Sequence, residues 1–299
     1  MPRHVVVIGS SNTDMVIHAD RLPRAGETVI GRDIRTFPGG KGANQAVACR
    51  RLGADTVFIA RIGTDDYGNS QVESLMKAGL SPEYLLRDDP GPSGVAVIAV
   101  DKKGQNQIMV VPGSNGRLRT QDINSRKEVI QTAAILVIQL EIPLECVNAS
   151  LRLARRDGVL TLLNPAPFRA LDSKILRLCD FLVPNQSEAE LLTGIRIRGL
   201  PSAKRAAQAL VRERVRHVII TMGERGAYYD GEIYPARKVK AVDTTAAGDV
   251  FVGALAVEIA AGRGIPDAIR IANLAASIAV TKEGAQTSIP ARAEIMALL

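Results

Sequence analysis

Short apolar runs recur along the chain at His4–Gly9, Thr56–Ile62, Ile135–Leu140, Val159–Asn164, Phe181–Pro184 and His217–Met222. They are rich in Val and Ile and show little alternation of apolar and polar positions. This is the pattern of strands covered on both faces, and it predicts a buried parallel sheet. Between the runs lie helical stretches at about 42–52, 66–79, 121–132, 143–156, 168–177, 187–193 and 201–215. The last third closes with Ala-rich helices at about 247–262 and 267–282, parted by the Gly–Pro break Gly262-Arg263-Gly264-Ile265-Pro266. Alternating strands and helices predict an α/β fold: a doubly wound, mostly parallel sheet flanked by helices.

Residues 13–36 and 93–112 break that rhythm and read as strands and turns. Gly94–Val100 and Ile108–Val111 flank the polar Asp101–Gln107 in a hairpin pattern. Such β-rich insertions in an α/β body predict either ordinary edge hairpins or a small β-sheet lid over a site. The chain, 1–299, reads as a single α/β domain carrying these insertions.

Three segments can carry chemistry. Asp243-Thr244-Thr245-Ala246-Ala247-Gly248-Asp249 opens an Ala-rich helix with small residues, so backbone N–H groups and the helix dipole favour an anion there. Asp249 at that helix start is either a first-turn charge stabiliser or a base beside a transferring phosphoryl group. Gly39-Gly40-Lys41-Gly42-Ala43-Asn44-Gln45 is not a P-loop, because Arg35 and Gly42 stand where the Walker pattern needs Gly and Ser/Thr. It leaves a glycine turn before a helix, with Lys41 and Asn44 placed to recognise hydroxyls or merely to start the helix. Gly9-Ser10-Ser11-Asn12-Thr13-Asp14 follows the first strand, where open α/β sheets place ligands. Asn12 and Asp14 share a face of an extended segment. They can read vicinal hydroxyls, or form an Asx-rich turn.

Weaker signals also follow strands: Gln139-Leu140-Glu141, Asn164-Pro165-Ala166-Pro167, Pro184-Asn185-Gln186-Ser187-Glu188, Thr221-Met222-Gly223-Glu224-Arg225-Gly226, and later Gly284-Ala285-Gln286-Thr287-Ser288. Each alone reads as a turn or cap; together they converge on one sheet edge. Asp65-Asp66 reads as a helix cap.

Composition narrows the classes. The chain is 46% hydrophobic and 23% charged, ordinary for a globular protein. Three scattered cysteines argue against a disulfide scaffold, and three histidines show no zinc-ligand spacing. The apolar run behind Met1-Pro2-Arg3-His4 is too short for a signal peptide, and no stretch reaches the roughly 18 apolar residues of a membrane span. The expectation is a cytoplasmic, reduced protein with no membrane partner. The net charge of +7 comes as scattered basic pairs, and aromatics are 3% with no Trp, so nucleic-acid binding is not expected. A positive field suits an anionic substrate.

Together, the Gly39–Ala46 and Asp243–Asp249 motifs resemble the two signatures of the ribokinase branch of the PfkB carbohydrate kinase family, and the resemblance runs from Gly9 to Pro290. It implies a doubly wound body whose β lid also clasps a homodimer. It implies transfer of the ATP γ-phosphoryl to the 5-hydroxyl of D-ribose, with Mg²⁺ accompanying ATP. Asn12, Asp14, Gly40, Lys41, Gly42, Ala43, Asn44 and Glu141 would hold the sugar. Asp249 would contact it as the base, and Gly248 with its neighbours would form the anion hole. Asn185, Glu188, Thr221, Met222, Gly223, Glu224, Arg225, Gly226 and Asn273 would serve the nucleotide. Asp243 and Thr245 would hold an activating K⁺, with Ala279, Lys282, Gly284 and Ser288 completing the site, several through backbone carbonyls. The rival readings are a sister kinase for 2-deoxyribose, fructose or adenosine, and a non-catalytic sensor on the same fold.

Overall fold

The β-branched runs assemble into a seven-stranded sheet in the computed structural model, which describes residues 4–299. Met1–Arg3, part of the segment judged too short for a signal peptide, lie outside the described residues. The strand order is His217–Val218, Phe181–Leu182, Leu160–Leu163, Ile135–Ile138, Val5–Ile8, Thr56–Gly63, Leu85–Asp88, and every pairing is parallel. The chain winds outward from Val5–Ile8 first one way and then the other. The loops after Val5–Ile8 and Ile135–Ile138 therefore leave the sheet at its switch point, where such sheets bind ligands.

Both faces are covered, as the lack of alternation required. Val5 and Val7 pack with the helices Lys41–Arg51, Ala247–Ala260 and Ile265–Ala279. Val6 and Ile8 pack on the opposite face with Leu144–Arg156 and Leu200–Arg212. Helix Ala247–Ala260 is buried nearly all round, which explains its uniform apolar composition. It crosses Lys41–Arg51 so closely that a Cβ on Gly253 would lie 2.5 Å from Ala48 Cβ and 3.0 Å from the Gln45 carbonyl. The buried Glu258 carboxylate pairs with Arg263 at 2.6 Å and with Arg292, fastening the far end of the same helix.

The two insertions form one four-stranded sheet in the order Gly31–Gly39, Asn12–Ala19, Gly94–Val100, Asn106–Val111. Asn12–Ala19 pairs parallel with Gly94–Val100, and the outer strands pair antiparallel. Asn12 and Asp14 are buried at its root, whereas Asn106–Val111 is exposed throughout.

Several expected elements change. The helix at about 121–132 is two, Thr120–Asn124 and Lys127–Gln131, broken where Arg126 leaves helical dihedrals (φ −116°, ψ 18°). The helix at about 168–177 shrinks to Ser173–Leu176, because Asp172 caps it by accepting from Ile175 N at 2.9 Å. The run His217–Met222 divides: Ile220–Thr221 turns away to pair with Ala227–Tyr229, which pairs with Glu232–Tyr234. Gly226, at φ +95°, makes that tight return possible. Leu85–Asp88 adds an edge strand with no apolar run to announce it.

Candidate active site

The glycine motif is explained by close approach. Gly40 is the N-cap of Lys41–Arg51 at φ +89°, and a Cβ there would sit 2.7 Å from Asn12 N. A Cβ on Gly42 would lie 2.6 Å from Gly9 C and Ser10 N. Only glycine lets this helix start press against the loop leaving Val5–Ile8. Ala43 N donates to Ser10 O at 2.8 Å and locks the contact.

Around that start the structure gathers four carboxylates and one ammonium. Glu141 accepts from Ser10 Oγ at 2.5 Å and from Lys41 N at 3.1 Å. Asp249 is 6% exposed. Its carboxylate does not cap its own helix: Oδ2 accepts from Asn44 Nδ2 at 3.0 Å and Oδ1 from Gln45 Nε2 at 2.9 Å. Burial, helped by the Glu141 and Asp249 charges and opposed by Lys41, pushes Asp14 up to about 7. Lys41 moves upward too. Burial alone would lower it, but Asp249, Glu141, Glu188 and Asp14 outweigh that. It stays a cation. Asn12 Oδ1 accepts from Asn115 Nδ2 at 2.8 Å, so Asn115 is a site residue that the sequence reading missed. The expected hydroxyl-binding set is therefore brought together, with Gly40, Gly42 and Ala43 supplying the turn. A pocket of about 480 Å³ beside it is lined by Asn12, Asn115, Leu140 and Glu141, with Val110 and Pro112 from the lid side.

A second cleft, of about 1200 Å³, takes Asn185, Thr221, Gly223, Glu224, Arg225, Gly226, Gly248 and Asn273 in its wall. Phe251, Ala276, Val280 and Val239 make it apolar, and Arg237 and Lys238 add cations the sequence reading passed over. Met222 is a correction. It is 2% exposed and packs into the core, because the loop holding it turns at Gly223 and leaves only its neighbours on the cleft. Glu188 is not part of the cleft wall either. It forms a capping box with Asn185, accepting from Asn185 N at 2.8 Å and Nδ2 at 2.9 Å. Burial raises its pKa against the pull of Asn185 N–H and Lys41, and Asp249 adds to the rise.

Helix Ala247–Ala260 has no side-chain N-cap: Ala246 holds that place at φ +60°. A helix start leaves its first N–H groups without intrahelical partners. A Cβ on Gly248 would meet nothing within 4 Å, so that start opens freely onto the cleft. Dipole and donors together favour an anion at such a start.

The expected cation ligands gather around Asp243, whose N–H also donates to Val280 O at 3.2 Å. Asp243 Oδ1 accepts from Thr245 N at 2.8 Å and Thr245 Oγ1 at 2.6 Å, and Oδ2 accepts from Gly284 N at 2.9 Å. Burial would raise Asp243, yet these donors hold it below the ordinary carboxylate range. Lys282 Nζ instead pairs with Glu294 at 2.6 Å, the Ala279 carbonyl accepts Lys282 N at 3.0 Å, and Ser288 Oγ donates to Ala285 O at 2.8 Å.

Comparison with known proteins places the chain among the carbohydrate kinases. The model of the pfkB family carbohydrate kinases matches residues 2–292. The chain is 38% identical over 301 residues to a ribokinase of Staphylococcus aureus (strain COL), covering 99% of each. It is 35% identical over 291 residues to a deoxyribokinase of Salmonella typhi, covering 96% of this chain and 95% of the relative. A solved structure of Arabidopsis thaliana ribokinase complexed with ribose and ATP superposes with a TM-score of 0.92 at 30% identity, covering 100% of this chain and 99% of that one.

The Asp14 shift fixes a pH dependence. A carboxyl with a raised native pKa binds a proton more tightly when folded, so its contribution to stability falls as pH rises from about 4 to 7. Asp14→Asn removes that cost. Its melting temperature relative to the parent should be several degrees higher at about pH 8 than at about pH 4, a difference on the order of a few kcal/mol. A difference that does not change with pH would contradict the assignment.

Proposed function

The chain belongs to the pfkB family of carbohydrate kinases, and from that premise we infer that it transfers the γ-phosphoryl group of ATP to the 5-hydroxyl of D-ribose. One observation carries the reading: Gly248 stands in the wall of the nucleotide cleft, while the next residue, Asp249, is hydrogen-bonded to Asn44 beside Lys41 and the sugar-side carboxylates. The helix start at Gly248 opens on the cleft and the carboxylate beside it joins the polar cluster around Lys41, an arrangement that suits phosphoryl transfer.

In this reading Asp249 accepts the 5-hydroxyl proton as the oxygen attacks, and the Gly248 and Asp249 amides stabilise the negative charge that develops. Asn12 and Asp14 hold the vicinal hydroxyls, Glu141 and Asn44 complete the sugar contacts, and Lys41 balances the carboxylates. Mg²⁺ carried on ATP supplies charge neutralisation at the phosphates. Asn185 and Glu188, hydrogen-bonded to each other at 2.9 Å with Lys41 and Asp249 close to Glu188, are the residues that would face such an ion. The lid would exclude water and limit ATP hydrolysis.

Ribose is favoured over 2-deoxyribose because a sugar lacking one hydroxyl leaves buried polar partners unpaired. Adenosine would need an aromatic pocket for its base, and the chain has only five Phe and five Tyr. With Mg-ATP, kcat/KM should be highest for ribose among ribose, 2-deoxyribose, fructose and adenosine. In the same assay Asp249→Asn should lower kcat about 10²- to 10⁴-fold with much smaller changes in sugar and nucleotide affinity. Higher kcat/KM for another sugar overturns the substrate, and near-normal turnover by Asp249→Asn overturns the base.

Asp243 and Thr245, with Gly284, offer oxygen ligands for K⁺ just before the anion hole. The ionised Asp243 carboxylate fits a monovalent cation, which would hold the loop with its donors forward. K⁺ should raise kcat; equal activity in K⁺ and in a bulky organic cation would contradict it.

The lid's outer strand leaves Ile108, Met109, Val110 and Val111 between 45% and 69% exposed, with Ile30 and Ile34 also exposed on the other side. Exposed apolar edge strands call for cover, and a homodimer through the lids supplies it. A fully active monomer by light scattering at micromolar concentration would exclude this. All three cysteines are free and buried, which suits a reducing cytoplasm, and among the described residues no helix is long and apolar enough to cross a membrane. Cell fractionation tests that location.

A further inference from the structure

We propose that Gln45 is the positioning residue of the phosphoryl-transfer site: it aims the Asp249 carboxylate, and is itself held in one orientation by Gln139 and Asn164. The proposal rests on Asp249 being the base.

The observation is a buried chain of side-chain amides. Gln45 Nε2 donates to Asp249 Oδ1 at 2.9 Å and to Asn164 Oδ1 at 3.1 Å, and Gln45 Oε1 accepts from Gln139 Nε2 at 2.6 Å. Asn164 Nδ2 donates onward to Val183 O at 2.8 Å. Gln45 and Gln139 are fully buried, and Asn164 is 8% exposed. The three come from the helix Lys41–Arg51 and from the ends of the strands Ile135–Ile138 and Leu160–Leu163, so the rigid body of the sheet holds them.

The polarity of this chain is forced. An ionised carboxylate only accepts, so Gln45 must present its NH₂ to Asp249. Its oxygen then faces Gln139, which must also present NH₂. Its second N–H needs an acceptor, so Asn164 must present oxygen, and the Val183 carbonyl fixes the same orientation from the far side. One acceptor is left over at the end of the line, and it is found there: Gln139 Oε1 is buried without a partner. A stranded buried acceptor destabilises the fold, a cost stability alone would not maintain.

The neighbouring amide makes the contrast. Asn44 Nδ2 also donates to Asp249, but Asn44 Oδ1 is buried and unpartnered, so it keeps an acceptor for a substrate hydroxyl. Gln45 has none to spare: its oxygen and both N–H groups are engaged. It therefore orients the base without touching substrate. The charged groups facing Asp249 are Lys41 from its helix start, Asp14 from the lid root and Glu188 from the helix Gln186–Thr193, with Glu141 beyond them. Lys41 apart, all of these are acids, so the amide donors keep the carboxylate aimed among like charges.

The test is the single-turnover rate of ribose phosphorylation against pH. In Gln45→Leu the rate should fall about 10- to 100-fold near pH 6.5, with the acid limb moved up by about one pH unit and ribose KM changed less than about threefold. Gln139→Leu leaves Gln45 in place but free to turn, and should move the same limb less; it carries the test if Gln45→Leu does not fold. An acid limb unmoved in both variants, with loss uniform across pH, overturns the positioning role. Asp249→Asn separates the two ideas. If it turns over normally, the base reading fails; if it is inactive while the Gln45 and Gln139 variants match the parent, only the positioning role fails.

Discussion

The site depends on how closely two helices approach. Lys41–Arg51 and Ala247–Ala260 touch backbone to side chain at Gly253, where any Cβ would collide with Ala48. Close packing of this kind fixes distances to a few tenths of an ångström, because interiors yield little. The contact sets where Asn44 and Gln45 lie relative to Asp249, residues more than 200 positions apart in the chain. Glycines at the first helix start, small residues at the second and the paired Glu258 behind it all serve that one juxtaposition.

What the packing concentrates there is expensive. Asp14, Glu141, Glu188 and Asp249 share a partly dry space with a single ammonium, Lys41. Burial, with the Glu141 and Asp249 charges beside it, raises the proton affinity of Asp14. Several buried acceptors, Asn44 Oδ1 and Gln139 Oε1 among them, have no partner. A fold optimised for stability alone would remove these groups. The carboxylates and Asn44 Oδ1 make sense as a site arranged for hydroxyls and phosphates, which supply missing donors and charge contacts when they bind, and Gln139 Oε1 as the end of the amide line behind it.

Much of the fold was legible because β-branched runs buried on both faces leave no ambiguity of period. Leu85–Asp88 was not, since a charged edge strand carries no such run, and the helix about 168–177 failed because Asp172 caps a shorter one. At the site, the glycine turn and Asp249 were visible because they need unusual residues in fixed order. Gln45, Gln139 and Asn115 were not assigned, because a buried amide looks in sequence like any cap or turn residue until its distant partner is known. The inward turn of the Met222 side chain was hidden for the same reason: a strand-end loop shows which residues are near the cleft but not which side chain turns inward. Of the cation set, Asp243 binds Thr245 and Gly284 directly, and its backbone N–H donates to Val280 O, next to Ala279.

The central claim is geometric: one carboxylate, aimed by amides, faces the hydroxyl that receives the phosphoryl group. A crystal structure of the chain with ribose and a non-hydrolysable ATP analogue measures this directly. The account requires the ribose 5-oxygen about 2.6–3.2 Å from an Asp249 carboxylate oxygen, on the side where the Gly248 amide and the γ-phosphate lie. A 5-oxygen held instead by Asp14 or Glu141, out of reach of Asp249, would contradict it.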